Sequence, residues 1–151
     1  MNAAIKQRWL KALRSGKYKQ AKRRLAIHNH ETREPEGFCC LGVLCEIAVE
    51  DGVITKTLAE GYHQGQRVLH GAYRPAGQWH GDGERGALPE AVRRWAGVDS
   101  NNPDVRLRES VPLAHGPGAH YRRGDVVGLA TCNDILGFDF NQIAALIEEQ
   151  L

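Results

Sequence analysis

The sequence predicts an α+β fold: a small single domain with a central apolar helix, a short, mostly antiparallel sheet and a C-terminal helix. Three observations carry that prediction. The run GFCCLGVLCEIAVEDG, residues 37–52, is apolar on nearly every helical face, the pattern of a helix enclosed by the rest of its domain. The segment FDFNQIAALIEEQL at the end has a capping pattern ahead of an apolar stripe. Between these lie short apolar–polar alternations without a regular strand–helix repeat, which favours segregated rather than alternating layers. With 151 residues, 42% of them hydrophobic and 25% charged, residues 1–151 are expected to fold as one domain. A chain of this size buries a core without disulfide or metal staples.

In chain order, Ala3 to Ser15 reads as a helix because Ile5, Trp9, Ala12 and Leu13 share a face while Lys6, Arg8, Lys11 and Arg14 spread over the others. Ser15-Gly16 ends it, glycine supplying the left-handed closure. Leu25 and Ile27, alternating with Arg24, His28 and Asn29, predict a short strand, and Glu34-Pro35-Glu36-Gly37 a turn. In the central helix Gly42 costs about 1 kcal/mol relative to alanine, so a neighbouring element is expected to pack closely there. Residues 61–86 hold seven glycines around a possible strand at Gln66 to Tyr73 and read as a long functional connection. Leu88-Pro89-Glu90 opens a short helix to Ala96, with Gly97 after it. Val105 and Leu107 suggest a strand, and residues 115–124 a loop or hairpin tip. In the last helix Asp139 and Gln142 have capping-box spacing and Phe138 is placed to staple onto Ile143.

Charge is unevenly distributed. Residues 1–30 contain nine basic and no acidic side chains, leaving eleven basic and eighteen acidic for the remainder. Such polarity attracts a phosphate-bearing ligand, nucleic acid or the acidic part of a second copy, and is equally the mark of a solvated helix face balanced by acids folded nearby. No run approaches the roughly 18 apolar residues of a membrane helix. The charged N-terminus does not resemble a signal peptide, so a cytoplasmic protein with free thiols and no membrane partner is expected.

Cys39, Cys40 and Cys45 pose the question of thiol chemistry. On a regular helix Cys45 lies about 240° round from Cys39 and about 140° from Cys40, so the three cannot share a metal. A lowered pKa at the helix N-terminus would suit Cys39 or Cys40 as a nucleophile. An apolar surround favours core packing. His28 and His30 would lie on one side of a strand, with a third metal ligand from His63, His70, His80, His115 or His120, a weak two-residue signal against ordinary surface histidines. No GxxxxGK[ST], GxSxG or HExxH motif appears, and neither a catalytic residue nor a cofactor is assigned. Asn133-Asp134 reads as a turn or as an acid/base or ribose-binding pair.

The segment SGKYKQAKRR, residues 15–24, combines a bend, an aromatic face, an amide and several cations, the ingredients of nucleotide or single-strand binding. HYRR, residues 120–123, repeats the aromatic–cation mixture. Lys17, Tyr18, Gln20, Arg23, Arg122 and Arg123 are the candidate ligand-binding residues, the cations for phosphates and Tyr18 for stacking. If the two segments meet, within one chain or across a homo-oligomer, they enclose an anionic ligand.

WLKALRSGKYKQ, FCCLGVLCEIA, LPEAVRRWAGV and LATCND…FDFNQIAALIEEQL together resemble a group of small bacteriophage and prophage proteins with no established activity. The resemblance covers most of the chain and implies an accessory protein acting in the cytoplasm of an infected bacterium. Three function classes follow. The first is a non-enzymatic binder of a small anionic ligand, a nucleotide or cyclic-nucleotide immune signal. The others are a nucleic-acid binder using the basic segment, and a small thiol- or metal-dependent hydrolase.

Overall fold

A computed structural model describes residues 1–78, 82–112 and 120–151. Its architecture is a small single α+β domain. Helix α1, Ala3–Arg14, starts at Asn2, whose side chain accepts from the backbone of Ala4 and Ile5. Gly16 follows its end with φ +71°. Strands β1, Ala26–Asn29, and β2, Pro35–Phe38, lead into α2, Cys40–Glu50. β3, Ile54–His63, and β4, Gln66–Pro75, form a long hairpin. Then come α3, Glu90–Ala96, closed by Gly97 at φ +65°, and β5, Asp104–Arg106. The short strands β6, Val111–Pro112, and β7, His120–Tyr121, pair with each other, and β8, Val126–Gly128, pairs with β5. α4, Leu129–Asp134, and α5, Phe140–Gln150, complete the chain.

The main sheet is antiparallel in the order β2-β1-β4-β3. α2 runs through the core against α1, α3, α4, β2 and β3. Leu41, Val43, Leu44, Cys45 and Ala48 have no exposed surface, as a helix apolar all round requires. Trp9 of α1 is equally buried, and its ring N–H donates to the Cys40 carbonyl at 3.0 Å. The close neighbour expected at Gly42 is the backbone of Leu25: a Cβ there would lie 1.7 Å from the Leu25 oxygen. α5 carries the full capping box, Asp139 accepting from the Gln142 backbone at 2.8 Å and Gln142 from the Asp139 backbone at 2.9 Å.

Three local expectations are corrected. Glu34–Gly37 is not a turn, because β2 begins at Pro35. As the first residue of an edge strand Pro35 loses no ladder bond, and the reversal falls earlier, where Asn29 Oδ1 accepts from Glu31 and Thr32. Residues 61–63, the start of the expected 61–86 connection, belong instead to the end of β3. The hairpin turns on Gln64 and Gly65, both at positive φ, the two-residue geometry that matches strand twist. Asn133-Asp134 closes a helix instead of forming a turn. The apex of the 115–124 hairpin lies outside the described residues, and its flanks pair as Val111 with Tyr121 and Pro112 with His120.

Candidate functional site

The end of α1, the bend after it and the end of α2 enclose a cleft of about 330 Å³ lined by Arg8, Lys11, Ser15, Lys17, Tyr18 and Glu50, with Ala12 and Ile47 beneath. The bend is fixed locally: Ser15 Oγ donates to the Ala12 carbonyl at 2.7 Å and accepts from the Lys17 backbone at 3.1 Å. Tyr18 is half-buried, its ring edge-on to Phe38 at 5.3 Å between centroids. Lys17 Nζ sits 5.1 Å from the Tyr18 ring centroid and 3.7 Å from Glu50. Arg8 donates to both Asp51 oxygens at 2.7 and 2.9 Å, and that hydrogen-bonded pair holds the Asp51 carboxyl below its usual range. Lys11 is exposed and makes no ion pair among the described residues.

The other candidates stand elsewhere. Gln20 spends its amide N–H groups on Asn133 Oδ1 and the Phe138 carbonyl, both at 2.8 Å, joining its segment to the α4–α5 junction. Arg23 adopts φ +67° and its backbone donates to Asp134 at 2.9 Å, leaving the side chain exposed. Arg122 and Arg123 are exposed in the turn between β7 and β8, their backbones donating to Asp125 Oδ2 and Ser110 Oγ. Arg123 lines a cleft of about 650 Å³ with Arg106, Arg108, Gly124, Glu149 and Gln150. Arg108 there is paired with Glu149, and Arg106 donates to the Gly124 carbonyl at 2.7 Å. Lys17 and Tyr18 thus share one cleft, Arg123 belongs to another, and Gln20 is tied to structure.

The thiols are packed. Cys39 caps α2, its sulfur accepting from the Gly42 N–H at 3.4 Å. Burial outweighs the helix dipole and pushes that thiol up to about 12, Cys132 up to about 11, and Cys40 and Cys45 well above the usual value. Among the described residues no three histidine, cysteine, aspartate or glutamate side chains converge as a metal set. His28 is buried in β1, while His30 lies beyond the strand end, 3.7 Å from Glu60. His80 and His115 lie outside the described residues. No described helix is long and apolar enough to cross a membrane.

A family model, described as Domain of unknown function (DUF8296), matches residues 1–151. The chain belongs to that family. No curated protein and no solved structure matches it. Membership in DUF8296 assigns no chemistry, so function rests on the residues themselves.

Two polar groupings in this DUF8296 chain were not legible in its sequence, which offered His28 and His70 only as metal-ligand candidates. On the inner side of the sheet Lys56 donates to both Glu46 oxygens at 2.9 and 2.8 Å, and the buried Tyr73 hydroxyl donates to Glu46 Oε1 at 2.6 Å. His28 lies in the same layer, its Nδ1 3.0 Å from the Arg33 carbonyl and its buried Nε2 unpartnered. On the outer side His70 has the same pattern, with Nε2 buried and unpartnered. The signal for both is strand register: His28, Leu69 and Glu60 are opposed across three strands, as are Ile27, His70 and Ala59.

Proposed function

We propose that this protein is a non-enzymatic accessory protein of a phage or prophage that binds a small anionic ligand, a nucleotide or cyclic nucleotide serving as a host immune signal. The observation that carries the reading is the Lys17–Tyr18 cleft, where an aromatic face adjoins Lys17, Lys11 and Arg8. Its volume falls within the range of small-molecule sites. Cations fix phosphates and an aromatic ring stacks on a base. Arg122 and Arg123 lie apart from this cleft, and their part in binding requires a second copy of the chain. The phage setting rests on the resemblance of FCCLGVLC and its companion motifs.

A small ligand is favoured over nucleic acid because folding neutralises part of the basic segment. Arg8 faces Asp51, Arg14 faces Glu148 and Lys17 faces Glu50. Calorimetric titration against cyclic di- and trinucleotides tests the reading. The expected result is binding that Lys17→Gln with Tyr18→Ala weakens by about tenfold or more, the loss of one charge-assisted contact and one stacking contact. Silence of the wild-type chain across the panel at high micromolar concentration overturns it. The stoichiometry reads whether two copies share one ligand. A gel shift at low salt that fades steeply as salt rises would instead select nucleic acid.

A further inference from the structure

In antiparallel pairing, directly opposed residues share a face of the sheet. Ile27, Ala59 and His70 therefore lie on the outer face, and Gly61 and His63 follow Ala59 at alternate positions on β3. Gly61 makes room for the His70 ring, since a Cβ there would lie 2.5 Å from the ring Cε1 and 2.6 Å from Nδ1. The imidazole also bonds to the Tyr62 backbone. Only 3% of His70 is exposed, and its Nε2 has no partner.

Beyond the start of β1, another segment continues the sheet beside β4. Tyr73 and Glu84 exchange backbone bonds of 2.9 and 2.8 Å, and the Leu25 N–H donates to the Arg85 carbonyl at 2.8 Å. With Glu84 opposite Tyr73, Arg85 stands opposite Ala72, on the face that carries His70. The Leu25 bond brings Arg24 alongside. Both arginines are half-buried, and neither guanidinium has an ion pair or hydrogen bond among the described residues. Arg24, Arg85 and His63 all act electrostatically on the His70 ring. Arg74, further along the same face, donates to Thr57 Oγ1 at 3.2 Å, and Glu36 on β2 accepts from the Asn29 amide at 2.9 Å.

We propose that His70, Arg24 and Arg85, with His63 at the rim, form a binding site for a tetrahedral oxyanion of the phosphate or sulfate type. Uncompensated cations around a buried unpaired nitrogen are unfavourable unless a counter-charge completes them. Guanidinium forks match the oxygen spacing of such an anion. In the tautomer whose Nδ1–H donates to the Tyr62 backbone, Nε2 of the neutral ring is a bare acceptor. Anion binding is accompanied by uptake of one solvent proton at Nε2, which then donates to an anion oxygen. The site is separate from the Lys17–Tyr18 cleft and does not rest on the function proposed for it.

The experiment is a sodium sulfate titration of the full chain at constant ionic strength, followed by long-range ¹H–¹⁵N spectra of the imidazoles. Sulfate keeps its charge between about pH 5.5 and about pH 8, so any pH dependence belongs to the protein. Sulfate is expected to drive the His70 signals to the charged pattern. Its affinity is expected to fall with rising pH by up to about tenfold per unit, the limit for one linked proton. Arg24→Gln with Arg85→Gln should abolish the response with circular dichroism unchanged, and Lys17→Gln should leave it intact. His70 signals unmoved by tens of millimolar sulfate at about pH 5.5 overturn the proposal, given the weak affinity this allows. A response of wild-type size in the double arginine variant overturns it equally. Repeating the titration with a phosphomonoester then reads which oxyanion source is preferred.

Discussion

Gly42→Ala adds one methyl group in the middle of α2, a change that helix propensity alone favours by about 1 kcal/mol. The surroundings reverse the sign. The new Cβ would lie 1.7 Å from the Leu25 oxygen and 2.6 Å from the Leu25 carbonyl carbon, and backbone cannot swing aside as a side chain does. A relaxed contact needs about 3.5 Å, so roughly 1.8 Å of separation must be found between α2 and residues 24–26. That shift also breaks the bond from the Cys39 N–H to the Leu25 oxygen, 3.2 Å long, a loss of about 1 kcal/mol. Overpacking at the upper end of its usual range, about 3 kcal/mol, together with that lost bond and less the propensity gain, leaves a net destabilisation of about 3 kcal/mol. For a chain of this size that lowers the melting temperature by about 6–12 °C. Urea unfolding followed by circular dichroism measures it, with Gly86→Ala as comparator. Gly86 has nothing within 4 Å of an added Cβ, and its replacement should be neutral or stabilise by up to about 1 kcal/mol. A Gly42→Ala midpoint at or above wild type would refute the seating of α2 against Leu25.

Three other predictions concern protons, thiols and a cap. Burial holds the His28 and His70 imidazoles below their ordinary value of 6.5. The unfolded chain then binds more protons just below that value, so stability is complete above it and declines as pH falls. The decline is at most about 1.4 kcal/mol per unit per ring, until the folded value is reached. Urea midpoints at about pH 7.5 and about pH 5.5, above the main carboxylate range, should differ in that direction, and equal midpoints contradict two buried neutral rings. The four thiols should resist a chromogenic disulfide reagent in the native state and react together on unfolding, whereas rapid labelling of Cys39 would place it in contact with solvent. Asp139→Ala removes the α5 cap and should cost about 1 kcal/mol, read as a lower urea midpoint with an unchanged slope.

Helices were legible because their signals are local. The α5 cap spans Asp139 to Gln142, the closures at Gly16 and Gly97 are single residues, and the all-round apolarity of α2 needs no knowledge of its neighbours. Even the crowding at Gly42 follows from an unfavourable residue in a helix, although nothing nearby in the chain identifies Leu25 as the cause. β3 was hidden because ITKTLAEGYH lacks strong alternation and holds a glycine whose reason is His70, on the neighbouring strand. β2 was hidden because Glu34-Pro35-Glu36-Gly37 has turn composition, while β1 supplies the pairing. The cleft at Lys17 and Tyr18 is contiguous enough to read directly, except that Glu50 and Asp51 arrive from α2 to oppose its cations. Gln20 looked free because its partners, Asn133 and Phe138, lie at the other end of the chain. The grouping of Arg24, His70 and Arg85 depends entirely on register, which single-sequence periodicity does not supply.

The hydrogen bond from the Trp9 indole to the Cys40 carbonyl also gives the molecule an optical gauge. An indole sealed between α1 and α2 emits toward the blue, and its emission moves red once α1 lifts away and water reaches the ring. Far-ultraviolet dichroism, by contrast, registers α1 whether docked or loose. In a Trp79→Phe, Trp95→Phe variant, which leaves Trp9 as the single indole of the three in the sequence, comparing the two signals during unfolding therefore distinguishes separation of that helical seam from loss of helix itself, with no label added to the chain.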